Sequence, residues 1–247
     1  MQAEYQSPES RTAAIEDSYS YTETISRPVF QTTYSLDRAP AGLFRYRVMK
    51  RCIDIVLIIL FSPLVLLAIG IVSALVMISS PGPIFYSHRR IRRHGAFFSM
   101  WKFRTMCVNS AEVLEQYLAA HPEARREWNK TQKLRHDPRI TEIGSFLRRY
   151  SLDELPQLWN VLAGHMSLVG PRPIVAAEVE KYAESFECYC RVKPGLTGLW
   201  QVSGRSELTY DERVALDCDY VGRWSLRRDI WILLKTFRVV LKQDGAY

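Results

Sequence analysis

The 247-residue chain carries 33 Lys and Arg against 26 Asp and Glu, a net charge of +7, so an acidic partner is expected. An apolar share of 47% excludes a wholly disordered chain, and a mean hydropathy of −0.13 excludes a polytopic transporter built mostly of spanning helices. Five cysteines (Cys52, Cys107, Cys188, Cys190 and Cys218) without a Cys-x-x-Cys spacing argue against a disulfide framework or a zinc knuckle and fit a reducing compartment.

Residues 1–44 are rich in Ser, Thr, Tyr, Gln and Glu and show no periodic apolar face, which predicts a disordered polar tail. They lack the basic start and apolar stretch of a signal peptide. Residues 44–110 then hold 10 basic groups and 1 acidic group, gathered around one apolar run. That pattern points to a membrane before it points to nucleic acid.

From Ile53 to Ile78 the only charge is Asp54. A continuous helix over this run would reach about 39 Å, enough to cross a hydrocarbon core of about 30 Å. Two features argue for another arrangement. Ser62-Pro63 interrupts the run, and an interior proline removes a helical hydrogen bond and crowds the preceding turn. Basic residues also stand on both flanks: Arg45, Arg47, Lys50 and Arg51 before, and Arg89, Arg90, Arg92 and Arg93 after. A spanning helix would put one cluster outside, against the positive-inside rule. A re-entrant hairpin over residues 45–83, turning at Pro63, keeps both at the anionic inner face, with Ser62 helping to satisfy carbonyls freed by the break.

Beyond Ser80-Pro81-Gly82-Pro83, residues 84–86 and 96–103 read as short strands, a hairpin around His94-Gly95. Residues 109–134 read as one or two helices interrupted near His121-Pro122. Further helices are expected over 140–150 and 152–163, with Gly164 as a stop. The last segment, Trp224–Lys242, is amphipathic: Leu226, Ile230, Leu233, Leu234, Phe237, Val240 and Leu241 share one face, and five Lys and Arg share another. It suits a core-packed surface helix and equally a helix lying in a membrane interface. The expected fold is α+β and mostly helical: a re-entrant membrane helix, then a cytosolic catalytic domain over 84–247 with a small β-hairpin and amphipathic interfacial helices.

The chemistry points to Ser151-Leu152-Asp153-Glu154-Leu155-Pro156. Ser-x-x-Glu is a capping box, with Ser151 as N-cap and Glu154 as its reciprocal partner. A carboxylate in a first helical turn also stays ionised, which suits a nucleophile, and adjacent carboxylates invite a shared cation such as Mg²⁺. Fixed positive charges are available at Lys102, Arg104, Arg148, Arg149, Arg172 and Arg205. Prolines on both sides of Arg172 restrict its backbone and suit bidentate phosphate binding. Carboxylates, cations and a membrane segment together suggest phosphoryl chemistry on a lipid.

The chain closely resembles the monotopic polyprenyl-phosphate phosphoglycosyl transferases, the bacterial sugar transferase family. The resemblance covers about residues 45–247 and rests on KFRTM (102–106), DPRIT (137–141), SLDELPQLWNVLAG (151–164), MSLVGPRP (166–173), VKPGLTGLWQVSGRS (192–206) and LDCDYVGRWSL (216–226). The final RVVLKQDGAY is similar to members that transfer galactose phosphate. The resemblance implies that Asp153 is the nucleophile on a UDP-sugar, that Glu154 with Asp153 holds Mg²⁺, that Arg148 and Arg172 bind phosphate, and that Asp217 is a further active-site acid. It implies that Ser62-Pro63 is the break of the re-entrant helix, that undecaprenyl phosphate is the acceptor, and that UMP is released.

The expected product is a polyprenyl-diphosphate-sugar, from UDP-galactose first and UDP-glucose next, in the first membrane step of exopolysaccharide synthesis. The expected location is the cytoplasmic face of a bacterial inner membrane; no nucleic-acid partner is expected, and a homo-oligomer is compatible. Members of the family have about one more helical turn between the basic pair, here Lys50-Arg51, and the Ser-Pro break. Larger ones carry a bundle of spanning helices first, so a catalytic core without that extension is expected. A non-catalytic membrane scaffold of a polysaccharide assembly is the alternative.

Overall fold

The computed structural model describes residues 44–242, which fall in one compact unit; the tail expected over 1–44, all but its final residue, and the last five residues of the chain lie outside the described residues. The first element is a single 36-residue helix, α1 (Phe44–Ser79). Where the sequence suggests two arms, helical structure runs through Pro63. Proline has no N–H for the carbonyl four residues back, that of Ile59. The Ser62 hydroxyl supplies the missing donor, at 2.8 Å from the Ile59 oxygen.

Both ends of α1 pack against the rest of the chain. Near its start, Tyr46 and Ile58 join Phe98, Met100, Val161, Met166, Val221 and Ile232 in the main apolar core. Near its end, Val72 and Val76 pack with Phe103 and Leu147. Between them Ile59, Leu60, Phe61, Leu64, Leu66 and Leu67 are all more than half exposed. Burying the two ends stabilises on the order of 1.5–3 kcal/mol per large apolar side chain.

The polar groups of α1 are equally committed. Asp229 accepts from Lys50 Nζ at 2.8 Å, the Tyr220 hydroxyl at 2.7 Å and Trp224 Nε1 at 2.9 Å. Asp54 Oδ1 accepts from the Ser167 hydroxyl and the Leu168 amide, both at 3.0 Å. A buried carboxylate is tolerable only with such donors.

Strands β1 (Phe85–Ile91) and β2 (Phe97–Phe103) form the expected antiparallel hairpin, Phe85 opposite Phe103 and Ile91 opposite Phe97. Its turn holds His94 at φ 65° and Gly95 at φ 71°. Helices α2 (Ser110–Ala120) and α3 (Pro122–Thr131) break at His121, with Pro122 opening α3 where a missing N–H costs nothing. Helix α4 (Glu142–Arg149) is capped by Thr141, whose hydroxyl accepts from the Gly144 amide at 2.9 Å. Helix α5 (Gln157–Leu162) stops, as expected, at Gly164, whose φ of 81° suits glycine.

Two short strands, β3 (Ser167–Val169) and β4 (Gly195–Thr197), pair in parallel. Between them lie the short helices α6 (Val179–Tyr182) and α7 (Phe186–Cys190). Helices α8 (Tyr210–Gly222) and α9 (Leu226–Lys242) complete the described chain. Along α9, Asp229 and Ile232 are buried while Ile230, Trp231, Leu234, Phe237 and Leu241 are exposed. The apolar residues of α9 therefore divide between the core and an outward stripe.

Candidate active site

The site grows from the inward face of the hairpin. Phe98, Met100 and Lys102 alternate onto one side of β2; the first two are buried, and the third ends that row with a cation. Lys102 Nζ lies 2.7 Å from Glu154 Oε1 and 3.4 Å from Asp153 Oδ2. The two carboxylates stand on a tight 3₁₀ turn, Leu152–Glu154, ahead of α5.

This corrects the expected capping box. Ser151 sits in the left-handed region at φ 55° and makes no side-chain cap, and Glu154 turns to Lys102 instead. Long-range ion pairing takes a side chain that local spacing assigns to the backbone. The reciprocal box forms at α8, where Thr209 and Glu212 exchange hydrogen bonds. A non-glycine left-handed residue two positions before Asp153 costs on the order of 1 kcal/mol and marks a turn held by its surroundings.

Asn160 of α5 fixes that turn against β2. Its side chain donates to the Ser99 carbonyl at 2.8 Å and accepts from the Trp101 amide at 3.0 Å. On the other side Gly144 lets α4 meet the Thr105 backbone so closely that a Cβ would overlap the Thr105 carbonyl. That approach brings Arg148 in, and its Nε donates to the Thr105 hydroxyl at 2.9 Å.

Lys102, Thr105, Arg148, Ser151, Asp153 and Glu154 line a cleft of about 940 Å³. Of the expected residues, Lys102, Arg104, Arg148, Asp153, Glu154, Arg172 and Arg205 all line it. Arg104 also anchors the exit from α1, its guanidinium donating to the carbonyls of Ser80 and Pro81 at 2.6 and 2.7 Å. Asp217 does not line the cleft. It is buried behind, accepting from the Tyr182 hydroxyl at 2.7 Å, and it is Tyr182 that reaches the wall. Ser62 and Pro63 stand away, in the exposed middle of α1.

Sequence reasoning overlooked the groups that surround Arg172 in the cleft. Trp200 carries Arg172 at 6.0 Å and Arg213 at 4.9 Å from its ring centre. Arg90 donates to the Pro173 carbonyl at 3.1 Å and faces Glu178 at 3.6 Å. Alternation along β1 places Tyr86, His88 and Arg90 on one face, a signal that could have identified Arg90.

The electrostatics divide the two acids. Burial pushes the Asp153 carboxyl above its ordinary range, with Lys102 opposing that rise and Glu154 adding to it. Burial acts on Glu154 too, but Lys102 and then Arg172 outweigh it and hold this carboxyl below its ordinary range. Desolvation thus works against the first-turn helix field at Asp153, on the same side as Glu154 and opposed by Lys102 and Arg148. Burial also drives Asp217 well above the usual carboxylate range.

Among the described residues no cluster of three or more His, Cys, Asp or Glu could hold a metal by side chains alone. Asp153 and Glu154 nevertheless converge on one cationic centre, which fits an ion that takes its other ligands from substrate phosphates and water. The arrangement as a whole is a carboxylate pair facing arginines in an open cleft, suited to accepting a phosphoryl group from a charged donor.

Residues 45–243 match the family described as Bacterial sugar transferase. The chain is 52% identical over 205 residues to an undecaprenyl-phosphate galactose phosphotransferase of Salmonella typhimurium, covering 81% of this chain and 42% of that protein. It is 48% identical over 204 residues to the exopolysaccharide production protein ExoY of Sinorhizobium fredii, covering 81% and 88%. A UDP-glucose:undecaprenyl-phosphate glucose-1-phosphate transferase of Escherichia coli is 39% identical over 209 residues, covering 81% and 42%. The chain thus spans about two-fifths of the length of the Salmonella typhimurium and Escherichia coli relatives.

Proposed function

The chain belongs to the bacterial sugar transferase family, and from that premise we propose that it moves a sugar 1-phosphate from a UDP-sugar to undecaprenyl phosphate, releasing UMP. The observation that carries the reading is the Asp153–Glu154 pair clasped by Lys102 in a cleft walled by Arg148 and Arg172. The galactose phosphotransferase of Salmonella typhimurium is more similar to the chain than the glucose-1-phosphate transferase of Escherichia coli, which favours UDP-galactose as donor.

In the proposed first step an oxygen of ionised Asp153 attacks the sugar-bearing phosphorus of the donor. The bond from that phosphorus to the bridging oxygen breaks, and UMP leaves with the electron pair. In the second step a phosphate oxygen of undecaprenyl phosphate attacks the same phosphorus and frees Asp153. One diphosphate linkage is lost and one is gained, so the exchange is near balance. Arg148 and Arg172 stabilise charge on the phosphoryl oxygens, and Lys102 holds Glu154 ionised beside the nucleophile. A magnesium ion held by Asp153 and Glu154 would supply Lewis-acid polarisation of the diphosphate.

α1 is long and apolar enough to cross a membrane by length and composition. Its two packed ends and exposed middle favour a re-entrant wedge that dips into one leaflet, the inner face of a bacterial inner membrane. The outward stripe of α9 suits a helix resting in the same interface.

The test is UMP release from UDP-galactose that depends on undecaprenyl phosphate, with a galactose-phosphate adduct on the Asp153 peptide when the acceptor is withheld. Near-normal turnover by Asp153→Asn would refute the assigned nucleophile.

A further inference from the structure

The cations flanking the apolar run have separate fates in the folded chain. Lys50 is paired with Asp229, Arg51 donates to the Val161 and Leu162 carbonyls at 2.5 and 2.6 Å, Arg89 lies over Phe97, and Arg90 enters the cleft. Arg45, Arg47, Arg92 and Arg93 remain; to the last three of these the fold adds Lys193, which lies some hundred residues further along the chain.

These four gather where the hairpin turn meets the start of α1 and the end of α5. The Lys193 ammonium lies 3.5 Å from where a Cβ on Gly164 would stand, next to the carbonyls that Arg51 caps. Burial and then Arg51 draw Lys193 down, with Arg93 and Arg92 adding to the effect; burial and then Arg47 do the same to Arg93. His165 is lowered by burial, Arg92 and Lys193.

The acid that reaches Lys193 is Asp54, whose Oδ1 is already engaged by Ser167 and Leu168. The Nε atoms of Arg92 and Arg93 and the Nδ1 of His165 are buried with no hydrogen-bond partner among the described residues. Arg92, Arg93 and Lys193 are partly withdrawn from water, and Arg47 is exposed. Cations so gathered, with only the already engaged Asp54 reaching Lys193 among the described acids, favour an incoming anion. None of these residues lines the catalytic cleft. The hairpin separates Arg92 from Lys102 by the length of β1, roughly 20 Å.

We propose that Arg47, Arg92, Arg93 and Lys193 form a second phosphate-binding site, distinct from the cleft, that takes the headgroup of an anionic membrane phospholipid. Phosphate is the shared chemistry of a lipid and a soluble ligand; the apolar rim decides for the lipid. Phe44, Val48 and Met49 are exposed on the same end of α1, and the apolar run that follows is exposed through its middle. A free phosphate needs no such rim, whereas a phospholipid has acyl chains to place beside it. The inference rests on the membrane-bound reading above and adds the lipid class.

The test uses the full chain in neutral detergent and follows thermal unfolding. Phosphatidylglycerol doped into the micelles at about a hundredfold over its Kd is expected to raise Tm by roughly 5 °C or more, a shift that fades in high salt. Phosphatidylcholine and inorganic phosphate are expected to leave Tm unchanged. A variant combining Arg92→Gln, Arg93→Gln and Lys193→Gln should lose the shift and keep UMP release within about twofold. The Arg92→Lys, Arg93→Lys pair should keep both, which guards against a mere folding defect.

An equal shift with phosphatidylcholine, an equal shift with inorganic phosphate, or a triple-Gln variant that still responds would each overturn the site. No response of the wild type to phosphatidylglycerol while UMP release persists defeats this site alone. A full response in a protein that releases no UMP defeats the transferase reading alone.

Discussion

At Lys102 one ammonium serves two carboxylates, opposing the rise that burial causes in both. Replacing it by Met leaves Asp153 and Glu154 facing each other without their main cation, so both carboxyl pKa values rise. Turnover that needs ionised Asp153 falls as pH drops through its pKa, so Lys102→Met should shift the acidic limb of kcat/KM to higher pH. It should also lower the plateau by about a hundredfold or more; an unshifted limb in a pH-rate profile would remove Lys102 from this role. Asp217 makes a second case. Its folded pKa lies well above the ordinary 3.8, so the stability it lends is complete below that value and lost as pH rises through the folded one. Asp217→Asn keeps an acceptor for the Tyr182 hydroxyl, and its chemical-denaturation stability should decline less than the wild type's over that range.

At the scale of elements, the close approach of α4 to the Thr105 backbone is what delivers Arg148. Gly144→Ala forces the two apart and should cost about 1–3 kcal/mol of stability, with a loss of turnover that exceeds the loss of folded protein at low temperature. Packing α1 against α9 depends on another local arrangement, the Lys50–Asp229 pair with Tyr220 and Trp224. Asp229→Ala leaves a buried ammonium without its counterion and should destabilise by about 3–5 kcal/mol, whereas Lys50→Met combined with Asp229→Leu should recover much of that. Equal Tm losses in the single and double variants would contradict this. Local pattern predicted several elements well: the hairpin around His94-Gly95, although its first strand runs on to Ile91 beyond the expected residue 86, the break at His121-Pro122 and the stop at Gly164. The capping box at Ser151 failed because Lys102, distant in sequence, outcompetes the backbone for Glu154.

For the whole molecule, both ends of an apolar helix pack on one folded body, which a helix with its ends on opposite sides of a bilayer could not do unless that body crossed as well. Single cysteines introduced at Arg45 and at Ser80 in a chain without its native cysteines should therefore react with an impermeant maleimide from the same side of sealed vesicles. Labelling from opposite sides would make α1 a spanning helix. Composition and order along the chain were enough to determine that an apolar segment with basic flanks precedes a carboxylate pair and a set of arginines, because hydropathy, proline and charge are local properties. Which arginine faces the cleft, which caps α1 or α5, and that Asp217 lies behind Tyr182 were decided only by tertiary structure. Each depends on desolvation and on partners tens to more than a hundred residues away, and local spacing does not carry that information.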